Sequence, residues 1–548
     1  MWLRCLGAVV IGELIYCLFG GAAAAVDLRS PNLVSAEISP QETGGLDSSQ
    51  RHLFSEVGTA IEVQTILVEG STVFSPEILA QAVAPFEGQT LTVETLQDAA
   101  NAITQLYLNA GYITSEAVLP PQADIQGGVV KLQVIEGGLE AIRVVGTDRL
   151  VGYVQQRIAQ ASTRPLNQNR LESQLQLLKR DPLFDNVEAS LRQGQVNNDS
   201  ILTVQVTEAA PLSGSLAIDT LSSRSVGEFR TGATLLYRNL AGWGDRLVAS
   251  AYRSTTGGSY AYELAYLVPL NPQEGTLLLR ANPSNFRITD PAEPTFALGL
   301  SGSTDIYEIQ YRQPLIRTLQ EELALSAGFS YRHGSTLLGG FITPPTITSV
   351  VTFGQDYLRR DASGAWGLQS QFRLGTGLFG AISQPDPLPS GQFFSWQGQV
   401  QRVQMLGPNH RLLVQGAVQL TPDSLLGSEQ FFIGGAQSVR GYFQNGRFGD
   451  SGLRLSVEDQ IAVLRDEENS PLLSLSPFVD LGYVWATNPD FQANSQNFML
   501  GTGLGVEMVP VENLNARLDF GLPLIALDER ASDRPSGLRV YFDIRYRF

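Results

Sequence analysis

Residues Gly537 to Phe548, GLRVYFDIRYRF, alternate without interruption. Leu538, Val540, Phe542, Ile544, Tyr546 and Phe548 fall on one face, while Arg539, Asp543, Arg545 and Arg547 fall on the other with Tyr541. Successive side chains of an extended strand point to opposite sides, so this is a strand with one apolar and one strongly polar face. No water-facing exterior needs six apolar residues in a row, whereas lipid does, and the charged row then lines a wet interior.

Working back towards Pro211, strand-length segments of the same character follow one another between Gly, Asn, Pro and Ser: RTGATLLYRN from Arg230, DRLVASAYRS from Asp245, SYAYELAYLVP from Ser259, LLVQGAVQL from Leu412, LRLSVEDQIAV from Leu453, FMLGTGLGVEM from Phe498 and LNARLDFGLPL from Leu514. At about 20 residues per strand plus turn, residues 209–548 predict on the order of 16 strands, the scale of an outer-membrane barrel rather than a soluble sandwich. Past residue 25 there is no apolar run of about 18 residues, which excludes a spanning helix. A closed barrel is the other structure that satisfies its backbone groups in a membrane.

The chain begins differently. Residues 1–25 read as a secretory signal: Arg4, an apolar run from Leu6 to Phe19 interrupted by Glu13, then small residues. Both cysteines, Cys5 and Cys17, lie in it, so the exported chain has no thiol for disulfides, metal binding or nucleophilic catalysis. Residues 26–59, rich in Ser, Pro, Gly, Gln and Glu, read as a linker with a short helix near Ser48 to Glu56. From Ile61 a β-α-α-β-β order appears: IEVQTILVEG, a helix opened by Ser75 and Pro76, a helix from about Val93 to Asn109 stopped by Gly111, then YITSEAVLP and VVKLQVIEG. The order recurs from Leu139, giving an internal repeat over 60–137 and 138–208. Each copy resembles a POTRA domain, on Val68-Glu69-Gly70 and Val145-Gly146-Thr147 at the first strands, Leu108-Asn-Ala-Gly-Tyr112, and Val134-Ile-Glu-Gly137.

Two short motifs stand inside the barrel region. GGAQSVRGY, Gly434 to Tyr442, is a glycine-flanked loop carrying Val439, Arg440, Gly441 and Tyr442. PFVDLGYVW, Pro477 to Trp485, puts Phe478, Asp480 and Gly482 on one face of a strand, tolerable for a carboxylate only if that face is wet. A guanidinium that folds into a protein interior needs an acid, and Asp480 is the attractive candidate. Signal, two POTRA-like copies, barrel and both motifs together resemble the TpsB transporters of two-partner secretion, the hemolysin secretion/activation family, across residues 60–548.

That resemblance implies that Arg440 meets Asp480 inside the barrel, and that a secreted β-rich partner is exported. It implies too that the N-terminal segment can supply a plug helix, as in some members. The POTRA-like copies are expected to capture the extended partner on an edge strand, with Tyr112, Ile113, Thr114, Glu116 and Val118 as the candidate edge. The C-terminal row Phe542, Ile544, Tyr546 and Phe548 resembles the terminal targeting signal of bacterial outer-membrane proteins, which the barrel-assembly machinery reads. A barrel-assembly insertase and a passive porin remain as alternatives.

Composition narrows the rest. A formal net charge of −17 disfavours nucleic acid. Gly449-Asp-Ser-Gly452 has the form of a protease nucleophile but opens a strand, and only His52, His333 and His410 could act as base. Gly501-Thr-Gly-Leu-Gly505 lies within an alternating strand, not between strand and helix, so it is not a phosphate loop. The three histidines have no ligand spacing; no metal, cofactor or enzymatic activity is expected.

Overall fold

The computed structural model describes residues 61–122, 126–195, 198–293, 295–491, 496–527 and 537–548. The signal and linker assignments over residues 1–59 lie outside the described residues. Two compact units divide the chain, one reaching Ala209 and one starting at Ala210.

The first unit holds two modules of one plan. In each, the first strand runs parallel to the third and the second strand joins the third antiparallel. In the first module these are Thr65–Glu69, Glu116–Val118 and Val129–Ile135, with helices Pro76–Val83 and Val93–Asn109 laid over the sheet. The longer helix starts at a reciprocal cap, Thr92 accepting from the Thr95 amide while Thr95 accepts from the Thr92 amide. Leu96, Ala99, Ala100, Ile103 and Tyr107 recur at three- and four-residue spacing and are all buried against Val130, Leu132 and Val134. The second module repeats this with strands Leu139–Val145, Phe184–Gln193 and Ser200–Glu208 and helices Val151–Ile158 and Gln168–Lys179, around Leu150, Val154, Ile158, Leu202 and Val204.

Two sequence expectations change here. IEVQTILVEG breaks at Gln64, whose amide bonds the Gly128 carbonyl at 2.7 Å; Ile61–Val63 instead pairs with Gln89–Leu91. The expected edge strand from Tyr112 shrinks to Glu116–Val118. Tyr112, Ile113 and Thr114 form the turn after the helix, with the Tyr112 amide bonded to Tyr107 O at 2.9 Å and the Thr114 hydroxyl to Gly137 O at 3.0 Å.

In the second unit sixteen antiparallel strands close into a barrel, from Leu212–Asp219 to Arg539–Arg547, with the two-residue Phe341–Ile342 as an extension at one hairpin. Connections alternate between tight turns, such as the one from Asp361 to Gly364, and long ones, such as the one from Leu420 to Ser451. Each strand is apolar outward: in Pro471–Trp485, Val479 and Tyr483 are exposed while Phe478, Asp480 and Gly482 are buried. The last strand closes on the first over Asp543↔Asp219 to Arg547↔Ser215, and Phe548 and Gly214 exchange backbone bonds of 2.8 and 3.0 Å. A Cβ on Gly214 would come within 2.7 Å of the Phe548 ring, so the seam needs a bare backbone there. Ile544, Tyr546 and Phe548 face outward and exposed, and Phe542 stacks on Phe229 at 5.7 Å.

Within the first module the Val134-Ile-Glu-Gly137 stretch has a tether. Glu136 accepts from the Thr72 amide at 2.7 Å, the Thr72 hydroxyl at 2.6 Å and the Tyr107 hydroxyl at 2.7 Å. Partial burial pushes its carboxyl up, but these bonds outweigh it and hold the group below the ordinary carboxylate range. A folded-state value below the unfolded one contributes stability that is present above the unfolded value and lost as pH falls through the folded one. Glu136→Gln is therefore expected to destabilise the module by about 1 kcal/mol at neutral pH, the carboxylate being partly exposed. The difference from the parent should shrink below about pH 4. Amide-exchange protection of Val129–Ile135 against pH reads both effects.

Candidate functional site

The connection from Leu420 to Ser451 does not stay at the rim. It folds into the barrel as a loop stiffened by the small hairpin Phe431–Ile433 with Arg447–Gly449, and its tip carries Arg440. The guanidinium is 6% exposed. Nε donates to Asp480 Oδ2 at 2.7 Å and Nη2 to Asp480 Oδ1 at 2.9 Å, a two-pronged fit, while the Arg440 amide adds a third bond to Oδ2 at 3.0 Å. Nη1 reaches Glu458 Oε2 at 2.7 Å and Asp519 Oδ1 at 3.5 Å. The Ser456 hydroxyl donates to Asp480 Oδ1 at 2.6 Å.

A second arginine completes the network. Arg517 bonds Glu458 at 2.8 and 3.1 Å and Asp519 at 2.8 and 2.9 Å. Two cations thus share three carboxylates from neighbouring strands of one wall. Every member is bonded, the condition under which a buried ionic cluster is tolerable at all.

The strand motif Phe-x-Asp-x-Gly is explained residue by residue. Phe478 puts its ring face 3.4 Å from the Arg440 guanidinium carbon, a cation–π contact, and Asp480 is the ion pair. Gly482 leaves room for the loop, since a Cβ there would approach Val439 Cγ2 to 2.9 Å and Ile433 to 3.1 Å. On the loop side, Val439 and Tyr442 are fully buried with Ile433, Val484, Met499 and Leu527. The Tyr442 hydroxyl sits 2.9 Å from both the Leu500 and Ile525 carbonyl oxygens. Gly441 has φ +101°, a conformation that side chains disfavour, and its amide donates to the Tyr541 hydroxyl at 3.0 Å.

The glycine-spaced run falls beside this loop. A Cβ on Gly501 would lie 1.9 Å from the Arg440 carbonyl oxygen, and one on Gly521 would lie 2.5 Å from the Gly441 amide. In Gly449-Asp-Ser-Gly452, Asp450 is structural, accepting from the amides of Leu425 at 3.0 Å and Thr487 at 2.9 Å. His410 does pair with an acid, Asp459 at 2.9 Å, but eight positions along the strand from Ser451, about 26 Å away in an extended chain. No cluster of three or more His, Cys, Asp or Glu able to hold a metal occurs among the described residues.

Glu458, Arg517, Asp519, Ser456 and Tyr541 carry the site, and the sequence reading assigned none of them to it. Their signal was parity: Arg454, Ser456, Glu458 and Gln460 alternate on one face of their strand, as do Asn515, Arg517 and Asp519 on theirs. Of the candidate residues, Val439 to Tyr442 and Phe478, Asp480 and Gly482 lie together. The 112–118 set and the C-terminal row belong to other parts of the molecule.

Gly501→Ala should lift the loop backbone without touching any charge. Overpacking of this kind costs about 1–3 kcal/mol, so the Arg440 and Gly441 amides are expected to exchange roughly ten- to a hundredfold faster in hydrogen exchange. The barrel strands should remain as protected as in the parent.

Comparison with known proteins agrees with this geometry. Residues 198–508 match the model of the haemolysin secretion/activation protein ShlB/FhaC/HecB, and residues 61–137 match the ShlB-type POTRA domain. The outer membrane transporter CdiB of Escherichia coli is 25% identical over 508 residues, 90% of this chain and 83% of the relative. The heme/hemopexin transporter protein HuxB of Haemophilus influenzae is 22% identical over 398 residues, 69% of this chain and 68% of the relative. The solved structure of CdiB from Escherichia coli superposes with a TM-score of 0.70 at 22% identity, covering 94% of this chain and 93% of that one, a likeness of fold. With its ShlB-type POTRA module, closed barrel and inward-folded loop, the chain belongs to the haemolysin secretion/activation ShlB/FhaC/HecB family, the TpsB outer-membrane transporters whose POTRA domains lie in the periplasm.

Proposed function

We propose that this chain exports a dedicated β-rich secreted partner through its barrel, after the POTRA modules have captured that partner in extended form. The observation that carries the proposal is a loop held through the lumen by Arg440 and its three wall carboxylates. Such a loop obstructs the lumen while seated and clears it when the ion pairs exchange. CdiB and HuxB are named as transporters, which favours the same class of work here. The exposed apolar rows of the strands face lipid. Phe542, Ile544, Tyr546 and Phe548 present the row that the barrel-assembly machinery reads during insertion. The work is transport, without chemical catalysis.

The test is co-expression with the cognate secreted partner, measuring that partner in the medium. Arg440→Ala and Asp480→Ala should each cut export strongly, because each removes the two-pronged pair that seats the loop, and breaking one side of a buried pair costs about 3–5 kcal/mol. The double variant should lose no more than either single one, the mark of a coupled pair. Independent losses that add fully in the double variant would remove the coupling from the proposal.

Capture would use the outer strand Glu116–Val118 of the first module. There the Ala117 amide already donates to the Thr104 hydroxyl at 2.9 Å. A partner strand must displace that hydroxyl before forming its own ladder bonds. Thr104→Val, which removes the competitor, is expected to tighten binding of the partner's secreted amino-terminal fragment by up to about tenfold, the worth of one hydrogen bond. Unchanged affinity in a surface-binding assay would dismiss this edge.

A further inference from the structure

Two charges of opposite sign on the inserted loop, Arg440 and Glu429, meet different walls. Arg440 lies against the strands of Glu458, Asp480 and Asp519. Glu429, nearer the loop's start, lies against strands Glu321–Leu338, Thr346–Asp361 and Gly364–Thr376. Its Oε2 accepts from Arg373 Nη2 at 2.5 Å and its Oε1 from the Thr348 hydroxyl at 3.0 Å. Arg332 donates to the neighbouring Ser428 carbonyl at 2.7 Å, which holds its charge close to Glu429 without a direct bond between them. The site is dry: Glu429 is 4% and Arg332 8% exposed, and Leu425 packs beside it on Val350 and Phe393.

Other lumen arginines draw their acids from the wall itself. Arg280 has Glu308 at 2.7 Å, Arg312 has Glu322 at 2.7 Å and Asp356 at 3.1 Å, and Arg230 has Asp219 at 2.6 Å. Arg332 and Arg373 differ. Among the described residues, the carboxylate that serves them belongs to the loop. The wall therefore carries a built carboxylate site whose occupant is attached to the part that has to move.

We propose that the Arg332–Arg373 pair is a carboxylate-binding site of the lumen, filled by Glu429 while the loop is seated and by an Asp or Glu side chain of the transported polypeptide when the loop withdraws. The inference rests on the export reading above and adds a ligand class to it. An exchange of like for like keeps two buried cations paired throughout, where simple withdrawal would strand them. Each carboxylate oxygen has its own donor here, Arg373 for one and the Thr348 hydroxyl for the other, with a second guanidinium held alongside, a setting that favours an anionic acceptor over a neutral one.

Purified full-length protein in planar bilayers tests this without any secreted partner. Hexaglutamate is the probe and hexalysine the control. Glu429→Gln vacates the site, while Arg440→Ala loosens the other end of the loop and leaves Glu429 in place. Half-block of conductance by hexaglutamate is expected at about tenfold lower concentration for Glu429→Gln than for Arg440→Ala. That block should disappear in Glu429→Gln/Arg373→Gln, and hexalysine should not follow the order. Equal block of the two single variants, or block surviving in the double variant, overturns the site. Heat-modifiable gel migration establishes that each barrel is folded. If Glu429→Gln fails to fold, Arg373→Gln with Arg440→Ala replaces it, and must then be blocked less well than Arg440→Ala alone. Loss of the export reading with this block intact would leave the site standing as a carboxylate site of a different kind of pore.

Discussion

A guanidinium buried inside a barrel has no stable place unless acids surround it, and Arg440 fixes much of the structure through that requirement. Its bonds to Asp480, Glu458 and Asp519 reach three strands of one stretch of wall, where strands pair in chain order. The loop therefore acquires its seat from the finished sheet. Phe478 beneath the charge, Gly482 beside Val439 and the Tyr541 hydroxyl on Gly441 all follow from bringing that one side chain to that one place.

Much of this was legible in the sequence, and the limits were physical. Period-two alternation announces a strand and its wet face directly, so the barrel could be read from Leu538 to Phe548 and extended backwards. The helical modules were legible from caps and periodicity, as at Thr92 and Val93–Asn109. Pairing across the barrel is another matter. That Glu458 and Asp519 converge on Arg440, 18 and 79 positions away, depends on strand register and on the loop folding inward, which no local pattern encodes. The edge strand at Glu116–Val118 was overextended for a related reason. Tyr112 to Thr114 have the composition of a strand, but the turn that follows Gly111 uses their backbone groups first.

Seen from the lumen, the wall is electrically uneven. One side holds the acids that take Arg440, the other the arginines that take Glu429, and the loop neutralises both at once. The seated loop thus meets its walls by charge as well as by shape. Its charges are placed to match walls that repel alternatives of the wrong sign, which is a source of specificity even where the net stability gained is small.

The glycines that floor the loop have a different standing from the charges above them. Arg440 has three acids, so loss of Glu458 or Asp519 still leaves the arginine bonded to Asp480. Gly501 and Gly521 have no understudies: main chain meets main chain there, and any side chain is a wedge. The ionic part of the seat is redundant, while the bare part is not. Charge holds the loop with partners to spare, and bare backbone holds it with none.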